Sequence, residues 1–108
     1  MVTEISLNTI CGHATKVTAT KEGKSTHIHI DTNCEKLKKW GTDFDMEKKD
    51  LMGRPETVLA QKTEKAPLTP TCFVPATVMN ACWLENGMIS KRLASEKGKI
   101  EIIFDKLE

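Results

Sequence analysis

The sequence predicts a small α+β domain: an antiparallel sheet, a hairpin plus edge strands, with helices packed on one face. Three observations carry this. Residues 14–31 alternate with period 2 around a glycine turn, Lys21-Glu22-Gly23-Lys24. From Thr32 onward the apolar spacing changes to helical. Near the C-terminus, Lys99-Ile100-Glu101-Ile102-Ile103-Phe104 returns to strand-forming residues.

In chain order, Glu4 to Asn8 alternates and reads as a short first strand. Ala14 to Thr20 follows, with Thr15, Val17 and Ala19 on one face and Lys16, Thr18 and Thr20 on the other. Gly23 sits where the hairpin requires a positive φ. The return strand, Ser25 to Asp31, turns Thr26, Ile28 and Ile30 to the core and His27, His29 and Asp31 outward. Thr32 or Asn33 can cap a helix that holds Cys34 in its first turn, aligns Leu37 with Trp40, and stops at Gly41. Asp45 is a candidate cap for a helix over Met46 to Met52, and Pro55 fits the first position of another reaching Lys62. Pro67 and Pro70 hold residues 66–71 extended. A longer helix then runs from Val74-Pro75 to Glu85-Asn86, with Val78, Met79, Cys82 and Trp83 apolar. The terminal strand spans Ile100 to Phe104.

The 108 residues form one expected domain, 1–108, long enough to bury a core without disulfides or metal. Lys+Arg number 16 against Asp+Glu 15, a net charge of +1, which gives no electrostatic reason for a nucleic-acid partner. Three Phe, two Trp and no Tyr make a base-stacking platform an unpromising reading. Met1 to Ser6 carries neither a basic nor an apolar leader pattern, and no run approaches the roughly 20 apolar residues of a membrane span. The expected location is therefore the cytoplasm, where cysteines are more often free, catalytic or metal-bound than paired.

Cys11, Cys34 and Cys72 each fall where one element ends and another begins. Cys11 lies in Ile10-Cys11-Gly12-His13, Cys34 opens a helix, and Cys72 precedes one. Helix N-termini favour a thiolate, which both metal ligation and sulfur nucleophilicity require. Three soft donors converging at one end of the sheet would select Zn or an iron–sulfur cluster. His13 is the first choice for a fourth ligand. Cys82 lies roughly 15 Å along the helix from Cys72 and shares the apolar stripe, so it is assigned to the core. The bland alternative is that all the thiols are small buried hydrophobes. His27 and His29 form a rival metal pair, but solvated histidines on the outer sheet face explain them adequately. Glu35, Asp43, Asp45 and Asp50 read as caps and solvated charges.

The order of a Cys-Gly loop, a hairpin, a cysteine opening a helix, and a cysteine before a long helix resembles the iron–sulfur scaffold proteins of the IscU/NifU N-terminal type. That resemblance implies a nascent cluster or Zn²⁺ on Cys11, Cys34 and Cys72, with a sulfur donor or a cluster acceptor protein as partner. The chain departs from it at five points. His13 stands where that type has an aspartate, Thr71 replaces a histidine, Thr69 stands near where a lysine is expected, the Gly-Ser-rich start after the second cysteine is missing, and the terminal strand has no counterpart. The chain also resembles, over nearly its whole length, a family of small archaeal and bacterial proteins without assigned activity. The shared segments are Ile10-Cys11-Gly12, Asp31 to Cys34, and Cys72-Phe73-Val74-Pro75-Ala76. The functional expectation is a metal or cluster binder, more a carrier than an enzyme. Its alternatives are a thiol-based sulfur-transfer or redox protein using Cys72 or Cys34, or a partner-binding domain with structural cysteines.

Overall fold

The computed structural model describes residues 2–108. Four strands, β1 (Val2–Asn8), β2 (Ala14–Glu22), β3 (Ser25–Thr32) and β4 (Asp43–Glu47), form an antiparallel sheet in the order β1-β2-β3-β4. Four helices accompany it: α1 (Glu35–Trp40), α2 (Val58–Lys65), α3 (Val74–Glu85) and α4 (Lys91–Lys97). The α+β expectation is met.

Register follows from burial. Val17 pairs with Ile30 and Ala19 with Ile28, and all four are buried on the face that α3 covers. A shift of one residue would turn this apolar set to water, so the hairpin is fixed by its core side. Gly23 supplies the turn with φ 63. Val74, Val78, Ala81 and Cys82 of α3 close the core over the sheet, joined by Leu37 and Trp40 of α1 and Leu59 of α2. Cys82 is fully buried, as expected, and burial pushes its thiol up to about 12.

Glu85 fastens the far end of α3. Its side chain is 2% exposed and pairs with Lys91 Nζ at 2.9 Å. Thr3 Oγ1 donates to it at 2.8 Å and the Lys21 N–H at 3.3 Å. Burial alone would raise the carboxyl, but the donors from Lys91, Thr3 and Lys21 outweigh it and hold the pKa below its ordinary value.

The middle and the end of the chain depart from expectation. Asp43-Phe44-Asp45-Met46-Glu47 is strand β4, not the approach to a helix over Met46 to Met52. Met46 is buried opposite Thr26, and Asp45 pairs across the ladder with His27 instead of capping. A single 3-10 turn, Lys48–Leu51, follows. Asp50 is the cap of this region: its carboxylate accepts from Glu47 N–H at 2.9 Å and Val58 N–H at 3.1 Å. Helix α2 begins at Val58, later than Pro55, because the Thr57 side chain caps it through the Ala60 N–H. Cys34 is itself the N-cap of α1, and Thr32 accepts from its N–H. Helix α4 was not anticipated; Ser90 caps it. The expected strand over Ile100 to Phe104 is absent, and residues 98–108 carry no regular secondary structure.

The open sheet face carries His27 and His29, as expected, but paired rather than simply solvated. His27 Nδ1 lies 2.9 Å from Asp45 Oδ1, and His29 Nδ1 lies 2.8 Å from Asp43 Oδ1. The Asp45 hydrogen bond raises His27 above its ordinary 6.5, and the His29 hydrogen bond lowers Asp43 below its ordinary 3.8. The His27 contribution is complete below 6.5 and is lost as pH rises through the raised value. The Asp43 contribution is complete above 3.8 and is lost as pH falls through the lowered value. These pairs therefore hold β3 to β4 best between those limits.

Two outcomes follow. Ring titration by NMR should place His27 above 6.5, and Asp45→Asn should bring it down. Ile28→Ala, which empties a fully buried site on an inner strand, should cost about 2–5 kcal/mol in urea unfolding.

Candidate functional site

Antiparallel pairing sets three junctions at one end of the sheet. Asn8 pairs with Ala14 and Thr15 with Thr32, so the β1–β2 loop and the exit from β3 are neighbours. Helix α3 starts near the same end, because Glu85 holds its other end beside Thr3 and Lys21. Between these segments lies a cleft of about 440 Å³, and Cys11, His13, Cys34 and Cys72 all line it. Leu7, Leu37, Leu68 and Val74 supply much of its apolar wall.

Cys11 is exposed in a turn closed by Gly12 N–H donating to Thr9 O at 3.0 Å. Gly12 adopts φ 83, a conformation that side chains disfavour. Thr9 Oγ1 lies 2.7 Å from the sulfur, and its hydroxyl donates to the thiolate form. That hydrogen bond, reinforced by the His13 backbone N–H, lowers the Cys11 thiol below its ordinary 9.0. The sequence pointed to Cys34 and Cys72 as the nucleophile candidates; the structure adds a hydroxyl donor, Thr9, beside Cys11.

His13 Nδ1 sits 3.0 Å from Asn33 Oδ1. A carbonyl oxygen only accepts, so Nδ1 donates in this contact, and the neutral form of the ring would leave the Nε2 lone pair for a ligand or a proton. This is the second-contact arrangement that orients a ligating or proton-accepting imidazole. Cys34 is half-buried at the start of α1. Cys72, also half-buried, ends a turn in which its N–H donates to Thr69 O at 2.8 Å. Lys36 Nζ donates to Thr69 Oγ1 at 3.2 Å, tying α1 to the Cys72 segment and adding positive charge near the thiols.

The four expected site residues therefore share one cleft. They do not converge further: among the described residues, no group of three or more His, Cys, Asp or Glu side chains is gathered closely enough to hold a metal ion. The donor set suits a soft metal in kind, while its spacing is wider than a closed centre requires.

Thr9, Asn33 and Lys36 are the contributors that sequence reading missed. Thr9 had a local signal, two residues before Cys11 in a turn. Asn33 had none, because it meets His13 through the hairpin register. Lys36 meets Thr69 only through the packing of α1 beside the Cys72 segment. Among the described residues, no helix is long and apolar enough to cross a membrane. Comparison with curated proteins and with solved structures yields no match. The model for the Family of unknown function (DUF6951) matches residues 3–97, and the chain belongs to that family.

Proposed function

We propose that this protein binds a soft metal ion or a small iron–sulfur cluster through Cys11, Cys34 and Cys72, with His13 or an exogenous ligand as the fourth donor. The observation that carries the reading is the placement of three cysteines from distant segments in one cleft, while Cys82 is sealed in the core. Three thiols and one imidazole are the kinds of donor that Zn²⁺ and iron–sulfur clusters take. The order of the cysteines, like that of the IscU/NifU type, adds support.

Loading requires the segments to draw together. Cys11 is on an exposed turn and Cys72 on the Thr69–Cys72 turn, so both approach by loop movement, whereas Cys34 is anchored on α1. Such a site suits holding and releasing better than permanent structural ligation. A carrier of this kind would take sulfur from a donor protein and pass its cargo to an acceptor.

One observation favours a second reading. The Cys11 thiol, lowered by Thr9 and exposed, has the character of a nucleophile in a thiol-transfer reaction.

Anaerobic reconstitution with Zn²⁺, and separately with Fe²⁺ and sulfide, should load one centre per chain. Replacing Cys11, Cys34 or Cys72 by Ser should weaken loading at least tenfold, and Cys82→Ala should retain it. Absence of bound Zn or Fe after both treatments would overturn the metal reading. For the thiol reading, alkylation of the metal-free protein should modify Cys11 first, with a pH–rate inflection below 9.0. Thr9→Val should move that inflection upward.

A further inference from the structure

We infer that residues 99–104 of one copy add as a fifth strand to β1 of a second copy, reciprocally, forming a strand-exchanged homodimer. The tail after α4 has strand chemistry without a strand. Ile100, Ile102 and Phe104 alternate with Lys99, Glu101 and Ile103, yet Ile100 is 83% and Phe104 59% exposed. Ile103 and Leu107 are exposed as well. An alternating apolar segment of this length is a sheet edge looking for a ladder. The family match covers residues 3–97 and stops just before this segment.

The sheet has two edges, β1 and β4, and they differ. Strand β4 places Asp43, Asp45 and Glu47 along its open face, and Lys62 Nζ lies 4.3 Å from the Phe44 ring on the other. Charges of one sign and a covered core side blunt an edge against pairing. Strand β1 carries Glu4 as its one charge, and its core-facing Ile5 and Leu7 are half-buried against the core. An added strand would turn Ile100, Ile102 and Phe104 to the same side as Ile5 and Leu7 and extend the core past its uncovered rim.

The chain's own β1 is poorly placed to receive this tail. Lys91, at the start of α4, is bound to Glu85, which is bound to Thr3 near the first end of β1. Helix α4 spans roughly 10 Å, whereas β1 runs roughly 23 Å to its far end. With α4 starting beside the first end of β1, a tail running from there along its own β1 would pair in parallel, the less stable ladder. Exchange about a twofold axis frees the direction, permits antiparallel pairing, and is closed, so it yields dimers rather than fibres.

The test uses the full chain under reductant, which removes disulfide dimers through the exposed Cys11. Sedimentation should show a concentration-dependent dimer, and hydrogen exchange should show the amides of β1 and of residues 99–104 gaining protection together as the dimer forms. Ile102→Lys, at a side chain exposed in the single copy, should raise the dimer dissociation constant at least tenfold and leave core protection unchanged. A monomer at all concentrations with unprotected 99–104 amides would overturn the proposal. So would concentration-independent protection of both segments, which marks self-pairing, a dimer protected at β4, or a dimer indifferent to Ile102→Lys.

Discussion

Burial of one sheet face beneath α3 is the constraint on which the remaining structure depends. Side chains alternate along a strand, so placing Val17, Ala19, Ile28 and Ile30 under Val78 and Cys82 commits Lys16, Thr18, His27 and His29 to the opposite face. The same register aligns Asn8 with Ala14 and Thr15 with Thr32, which collects the loop ends at one side. The Glu85 hydrogen bonds then fix the direction of α3. With its last turn tied to Thr3 and Lys21, its first turn returns to the loop end with Cys72 beside it. The thiol cleft is thus a topological result of packing and needs no direct attraction among its cysteines.

What the sequence disclosed follows the same division. The hairpin, α3 and the burial of Cys82 were legible because each depends on a periodic apolar pattern with strong turn or proline signals. Strand β4 was misread because Asp45 is also a good cap, and five residues of alternation competed with that local cue. The deciding partners, His27 and His29, lie on another strand. The cleft was legible as three cysteines at junctions, but the residues that tune it were not. Asn33 looked like a cap and serves His13 across the hairpin, while Asp50, grouped with caps and solvated charges, is a cap that is also buried and accepts two N–H groups. The terminal strand shows the converse. Ile100 to Phe104 has strand-forming residues, but propensity alone does not make a strand, and these residues pair with none here.

Under the proposed metal reading, the donors of the cleft would have to come together from two turns and one helix start. A closed structural metal centre holds its ligands at fixed geometry and gains folding energy from them. Here the core is complete without a metal, closed by Cys82, Val78 and Ile28, so ligand binding can be separated from folding. Thr9 hydrogen-bonds the Cys11 sulfur and Asn33 the His13 ring, so if a metal binds as proposed, part of the cost of deprotonation and orientation would already be met. What remains is to bring the turns together. In the proposed reading that cost would fall on binding and weaken it, as a site that holds and releases its cargo would need.

Strand β1 connects this cleft to the free edge of the sheet. One end is fixed by the Thr3–Glu85 hydrogen bond, and the other feeds the turn that holds Thr9 and Cys11. As an edge strand it has a ladder on one side alone, and edge strands open more readily than inner ones. A strand added along β1 would satisfy the second row of backbone groups and stiffen the strand up to Asn8. The turn bearing Cys11 would then move from a firmer base, while the Thr69–Cys72 turn on the opposite wall would be unaffected. Self-association at the edge and ligand closure in the cleft would share one strand, so each would alter the free energy of the other by the same amount.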